Sequence, residues 1–284
     1  TFLTNDLMYT VSPDNLLITG GVSQGFEMIA SIILKPGDNV LIEGPTYFCM
    51  IQMMKDKGVN IFTTQRNEDG TLDLNEVETL IKEKNIKMMY IIPTSHNPIG
   101  CHIPLEQRNK LYNFALTYKF FLVCDDIYEF FFYDQGKTRI APVFNCSDEI
   151  VAMKDIHRQK IIDYQPSSNP FIISLNSFNK LINPGMRVGW IQADTSIINK
   201  VKSLGWLSSG GGVCNTMSHI VRSYMQLGYF EKIIDATRKE FGERAKKCDE
   251  ILRGSKAYTY DFPSYGYFFW IKLSDSVNIE KLKS

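Results

Sequence analysis

The chain has 284 residues, with 31 lysines and arginines against 31 aspartates and glutamates, and 44% of its residues are hydrophobic. That balance provides no field to attract nucleic acid or an anionic membrane, and no apolar run reaches the roughly 20 residues of a membrane span. The six cysteines (Cys49, Cys101, Cys124, Cys146, Cys214 and Cys248) form no CxxC and no regular spacing, which indicates reduced thiols in a cytosol-like compartment.

In chain order, strand-like and helix-like segments alternate. Leu16 to Thr19 reads as a short strand, followed by a glycine turn and a helix over 23–34 that stops at Lys35-Pro36-Gly37-Asp38. The spacing then predicts a strand over 39–43, a helix over 46–57 and a strand over 59–63. A helix over 73–84 carries Leu74, Val77, Leu80 and Ile81 on one face. Lys87 to Ile92 is a continuous apolar run suited to a buried parallel strand. A helix over 104–118 has proline in its first turn, and Phe120 to Val123 is a strand. The stretch 136–170 reads as connecting loops with a short helix. Beyond Ser196 the chain becomes mainly helical, with a long pattern over 230–252, and Tyr267 to Leu273 reads as the first strand of a second domain. The fold class expected is α/β, a mostly parallel sheet sandwiched by helices, with the beginning of a smaller α+β carboxy-terminal domain. Thr1 is not methionine and the last residues run into a helix-like stretch, so the sequence reads as the interior of a longer protein.

In open parallel sheets, ligands bind beyond the carboxyl ends of the strands, and four motifs fall there. Gly20-Gly21-Val22-Ser23-Gln24-Gly25 lies between a strand and a helix. Its N–H groups suit a phosphate, though a glycine turn before a helix is often purely structural. Asn97-Pro98-Ile99-Gly100 offers an amide that can donate to a phenolate-like oxygen, or forms an ordinary turn. Cys124-Asp125-Asp126-Ile127-Tyr128 ends a strand with a carboxylate able to pair with a protonated ring nitrogen; the adjacent acids equally suit magnesium or a cap. Last comes the run from Ser174 to Gly189, with Ser177, Lys180 three residues on, and Arg187 seven residues after the lysine. Lysine can condense with an aldehyde, while a hydroxyl and a guanidinium suit a phosphate. Tyr47 adds an aromatic able to stack on a ring, or a half-buried tyrosine.

The order of these motifs resembles the fold-type-I, pyridoxal-phosphate-dependent aminotransferases of class I and II, over Ile18 to Leu273. The similarity is greatest to the branch handling 2-aminoadipate, kynurenine and aromatic or branched amino acids. Ser208-Ser209-Gly210-Gly211-Gly212 and Phe268-Phe269-Trp270 also fit that branch. The resemblance implies a cofactor-binding large domain over 1–232 and a linking helix with part of a small domain over 233–284. It implies that Lys180 holds pyridoxal 5'-phosphate as a Schiff base and shuttles the proton. Asp125 would keep the pyridine nitrogen protonated, and Tyr128 and Asn97 would bind the phenolic oxygen. Tyr47 would stack on the ring. Ser177, Arg187 and the N–H groups around Val22, Ser23 and Gln24 would bind the phosphate. Amino acids and 2-oxo acids are the implied partners, with no metal, and a cytoplasmic homodimer is the implied assembly.

Several positions depart from the family pattern. Asn179 precedes the lysine where serine or threonine is usual, and Ile99 stands for the threonine of Asn-Pro-Thr-Gly. Val22 occupies a position that is often serine, His96 one that is often glutamine or asparagine, and Gly266-Tyr267 replaces a frequent Gly-Gly. The arginine that grips the substrate carboxylate lies past Ser284 in this family. Three other readings compete: a carbon–sulfur β-lyase with the same cofactor, a non-catalytic regulatory module, and a nucleotide-binding α/β protein. The last lacks the lysine and hydroxyl of a P-loop.

Overall fold

The computed structural model describes residues 11–67, 69–133, 169–263, 265–278 and 280. Seven strands form one sheet: β1 (Leu16–Thr19), β2 (Asn39–Gly44), β3 (Asn60–Gln65), β4 (Met88–Ile91), β5 (Phe121–Asp125), β6 (Ile172–Ser177) and β7 (Gly189–Ala193). Their spatial order is β1-β7-β6-β5-β4-β2-β3. Strands β3, β2, β4, β5 and β6 run parallel, whereas β7 runs antiparallel to both β6 and β1. The sequence reading assigned no strand to β7.

The apolar runs anticipated as buried strands are buried on both faces, as a helix-covered parallel sheet requires. Side-chain alternation divides the core in two. Val40, Ile42, Met88, Tyr90, Val123, Ile173 and Leu175 join one cluster; Leu41, Met89, Ile91, Leu122, Cys124 and Ile172 join the other. The first cluster is covered by α1 (Val22–Ile33), α2 (Phe48–Asp56) and α5 (Thr195–Lys202). The second is covered by α3 (Leu74–Glu83) and α4 (Leu105–Tyr118).

Local chemistry sets the helix ends. Asp73 caps α3 by accepting from Asn75 N and Glu76 N, and α4 ends at Lys119 in the left-handed region. Within α4, the fully buried Arg108 donates to Ile103 O (2.8 Å), Pro93 O (2.6 Å) and Thr94 Oγ1 (2.9 Å). It thereby fixes the base of the 93–103 loop from inside.

The short helix α6 (Gly205–Ser208), α7 (Asn215–Gln226) and the long α8 (Tyr229–Leu252) follow, as the helical pattern anticipated. Beyond α8, β8 (Tyr258–Tyr260) pairs antiparallel with β9 (Ile271–Leu273). This corrects the expectation of a strand from Tyr267: only its last three residues are extended and paired. Gly266, at φ 73°, turns the chain there. Tyr267 and Phe268 then pack inward on Tyr128, Phe131 and Phe241, where aromatic burial outweighs what a short edge strand offers. The loops expected over 136–170 fall outside the described residues except at their last two positions. The five described cysteines form no disulfide among the described residues, in which no helix is long and apolar enough to cross a membrane.

Candidate active site

Register alone brings the glycine turn to the lysine run. Thr19, ending β1, and Ser177, ending β6, both pair with Gly189 at the start of β7. Only glycine fits there, since a Cβ would lie 2.5 Å from Asn176 O and 2.8 Å from Gly21 Cα. Two segments distant in sequence thus meet on either side of one antiparallel strand.

The first end of the site is an anion cradle. Gly21 has φ 106° and no side chain caps α1. The first backbone bond of the helix runs from Gly25 N to Gly21 O (3.0 Å), which leaves the N–H groups of Val22, Ser23 and Gln24 at the turn. Arg187, itself at φ 50°, folds back so that Nη2 donates to Gly20 O (2.8 Å) and Nη1 to Pro184 O (3.3 Å). A Cβ on Gly21 would lie 2.8 Å from both Arg187 Nη2 and Asn179 Nδ2. Guanidinium, amide and helix N-terminus therefore converge on one concave spot.

Three of the expected cradle residues behave differently from one another. The Val22 side chain is in the core, so that residue has only its N–H to offer. Gln24 uses its side chain to tie Gly20 N and Gly211 O. Ser177 is fully buried; its hydroxyl donates to Val188 O (3.0 Å) and accepts from Asn179 N (3.1 Å).

At the other end, Asp125 closes β5 with its carboxylate 5% exposed. Oδ2 accepts from Tyr90 Oη at 2.7 Å, and Oδ1 from Ile127 N at 3.4 Å. Burial pushes the Asp125 carboxyl up to about 7, with the Asp126 charge adding; Tyr90, Ile127 N and the Lys180 charge pull the other way. The neighbouring Asp126 turns elsewhere and accepts from Ser174 Oγ (2.5 Å). The two carboxylates part, so they do not form the adjacent-acid magnesium pair, and the described residues contain no metal-binding cluster of His, Cys, Asp or Glu.

Tyr128 is buried and hydrogen-bonded to Asn97; burial and the Asp125 charge push its phenol up, and the Asn97 bond opposes them. The Tyr47 phenol is pushed up to about 12 by its hydrogen bond with Cys49, then by burial and the Asp125 charge. Asn97 and Tyr47 each follow a buried ionic group. Glu43 pairs with Arg66 Nη2 and with His96 Nε2, both at 2.7 Å, and all three side chains are inaccessible. His96 immediately precedes Asn97, whose bond to Pro98 is cis, and Glu43 precedes the cis Gly44–Pro45 turn that leads to Tyr47.

Lys180 directly follows Asn179 of the cradle. Its residue is exposed, its charge acts on Asp125, and Nζ sits 5.9 Å from the centroid of the Tyr267 ring. Tyr267 Oη donates to Lys180 O (2.9 Å). The Tyr267 and Phe268 rings each stand 5.6 Å from that of Tyr128.

Asp125, Tyr128, Asn97, Tyr47 and Lys180 are thus one group at the strand ends, and Gly21, Ser23 and Arg187 another beside it. Tyr90 was not singled out by its sequence, and Tyr267 stood out only as a departure from a frequent Gly-Gly. Tyr90 looked like any residue of an apolar strand, and Tyr267 reaches the site through packing across 87 residues, which local pattern does not encode.

The family model of class I and II aminotransferases matches residues 2–282. A 2-aminoadipate transaminase of Thermus thermophilus is 26% identical over 276 residues, 96% of this chain and 64% of the relative. The crystal structure of the Thermus α-aminoadipate aminotransferase LysN, complexed with N-(5'-phosphopyridoxyl)-L-leucine, is similar at a TM-score of 0.81 and 25% identity. That match covers 99% of this chain and 67% of the other. An uncharacterized HTH-type transcriptional regulator of Escherichia coli, YdcR, is 21% identical over 96% of this chain and 54% of its own length. The chain accordingly spans about half to two thirds of the relatives it matches. With its glycine turn, buried carboxylate and lysine run at the strand ends, and with the family model matched over residues 2–282, this chain belongs to the class I and II aminotransferases.

Proposed function

We propose that this chain is the cofactor-binding body of a pyridoxal-phosphate-dependent aminotransferase that moves an amino group between an L-amino acid and a 2-oxo acid. The observation that carries the reading is a buried Asp125 carboxylate on which the Lys180 charge acts, together with the cradle that Gly21, Asn179 and Arg187 form. The residues fit the cofactor. A phosphate suits the Gly21 hollow, where Arg187 Nη2 and Asn179 Nδ2 converge, and a protonated ring nitrogen suits a carboxylate as deeply buried as Asp125. When bound, the cofactor supplies an electron sink that makes the substrate's α-proton labile.

In this reading Arg187 and the α1 N–H groups of Val22, Ser23 and Gln24 hold the phosphate, and Ser177, whose hydroxyl donates to Val188 O, supports Asn179 beside them. Asp125 keeps a proton on the ring nitrogen, and Asn97 and Tyr128 orient the phenolic oxygen. Tyr47 packs against the ring face. The Lys180 amine attaches the cofactor and carries the proton at the substrate's α-carbon. Tyr267 sets an aromatic ring beside the Lys180 amine, with Tyr128 packed behind that ring. Donors of the 2-aminoadipate or aromatic type, with 2-oxoglutarate as an acceptor, are the substrates proposed, supported by the relatives matched. The assembly proposed is a homodimer.

The test uses the full-length protein supplied with pyridoxal phosphate. An absorbance band of lysine-linked cofactor is expected, fixed by borohydride onto Lys180 and lost in Lys180→Ala; a band that survives the substitution sinks the assignment. Amino transfer that depends on an added oxo acid distinguishes the reaction from elimination, which releases ammonia without one. Sedimentation of the same sample reads the dimer.

A further inference from the structure

Resting on that reading of the site, we propose that Tyr90 is a positioning residue, acting through the Asp125 carboxylate to keep it as the anion that faces the cofactor's ring nitrogen. Tyr90 lies on β4 and Asp125 at the end of the adjacent parallel strand β5. The Tyr90 hydroxyl donates to Asp125 Oδ2 at 2.7 Å, with Tyr90 itself 0% exposed. Its ring is held edge-on by Phe26 at 6.0 Å, and Phe26 belongs to α1, the helix whose first turn forms the anion cradle. One phenol thus links the element under the phosphate to the carboxylate under the ring.

Asp125 needs that donor. The other bond to its carboxylate, from Ile127 N, is long at 3.4 Å. The charged and titratable groups around it are Tyr90 from β4, Asp126 on its own segment, Lys180 from the loop after β6, Tyr47 from the loop after β2, and Tyr128. Glu43 acts on the Tyr90 side. Among the described residues, Tyr90 and Ile127 N donate the hydrogen bonds that favour the anion, and Lys180 helps through charge. Without the Tyr90 hydroxyl, a proton shared between the acid and the ring nitrogen shifts toward the acid. The ring then loses positive charge and the contact loses its ionic character.

The experiment compares wild type, Tyr90→Phe, Asp125→Asn and the double variant in the full chain loaded with pyridoxal phosphate. Two quantities are read: cofactor dissociation by dialysis, and the pH midpoint of the lysine-linked absorbance band. Tyr90→Phe is expected to weaken cofactor retention about tenfold and to raise the midpoint by about half to one pH unit, the scale of one hydrogen bond to a charged group. In the Asp125→Asn background it is expected to change either quantity less than about twofold, because its partner has gone. Phe26→Leu, which loosens the ring contact and keeps the hydroxyl, is expected to leave the midpoint at the wild-type value. The role of Tyr90 is overturned if Tyr90→Phe matches wild type, if its loss persists in the Asp125→Asn background, or if Phe26→Leu moves the midpoint equally. A wild type without any band on Lys180 overturns the reading of the site itself, and the role of Tyr90 with it.

Discussion

A buried carboxylate without its cationic partner should make the cofactor-free protein less stable as pH rises. Asp125 is moved by burial from an ordinary 3.8 to about 7. At about 1.36 kcal/mol per pH unit, this amounts to roughly 4 kcal/mol. The sign follows from the direction. A carboxyl whose folded pKa is raised contributes its full stability below about 4, where both states hold the proton. That stability is lost as pH climbs through about 7, where the unfolded chain ionises freely and the folded one resists. Asp125→Asn keeps the shape and removes the charge, so it serves as the uncharged reference. Urea denaturation of cofactor-free protein from about pH 4.5 to about pH 8.5 should find the Asp125→Asn variant within about 1 kcal/mol of wild type at the acid end. At the alkaline end it should be more stable by about 2–4 kcal/mol, roughly 3–7 °C in Tm for a chain this size. A difference that is constant across the range, or a variant less stable than wild type at the alkaline end, refutes the argument. Pyridoxal phosphate added to wild type should recover much of the deficit, since a cationic N–H beside the carboxylate reverses the cost of burying it.

Other outcomes follow from single contacts. Arg66→Met leaves Glu43 buried with one partner fewer, and should lower stability by about 3–5 kcal/mol in urea titration. Burial alone would raise the Glu43 carboxyl and Arg66 with His96 hold it below the usual range, so the loss should be larger at mildly alkaline than at mildly acid pH. Gly21→Ala places a Cβ 2.8 Å from Arg187 Nη2 at φ 106°. A cost of about 1–3 kcal/mol in thermal unfolding is expected, together with weaker cofactor retention by dialysis. Tyr267→Phe removes only the bond to Lys180 O (2.9 Å) and should cost about 0.5–1.5 kcal/mol by the same melting assay, with the absorbance band retained.

Much of the architecture was legible because it is written in short periods. Continuous apolar runs marked β2, β4 and β5, the apolar stripe through Leu74, Val77, Leu80 and Ile81 marked α3, and Pro36-Gly37 marked the end of α1. The groups proposed for the site could be picked out as well, since each falls near the end of a strand and keeps its spacing within a few residues. Strand β7 was not, although its burial is as complete as that of β6. Gly189-Trp190-Ile191-Gln192-Ala193 follows β6 closely enough to pair antiparallel, and direction of pairing leaves no mark in local composition.

Local sequence sets which groups the site can contain: an amine at Lys180, an acid at Asp125, a guanidinium at Arg187 and a glycine where α1 begins. How they are used depends on packing between distant segments. Packing brought Gly21 beside Asn179 and Arg187 through a shared register at Gly189, and put Tyr90 under Asp125. It turned Tyr267 away from the small sheet toward Lys180, and enclosed Glu43 with Arg66 and His96 beneath two site loops. Periodicity and spacing act over a few residues, whereas these contacts join residues tens to more than a hundred positions apart. Only the closing of the sheet, driven by burial of its two apolar faces, sets their geometry.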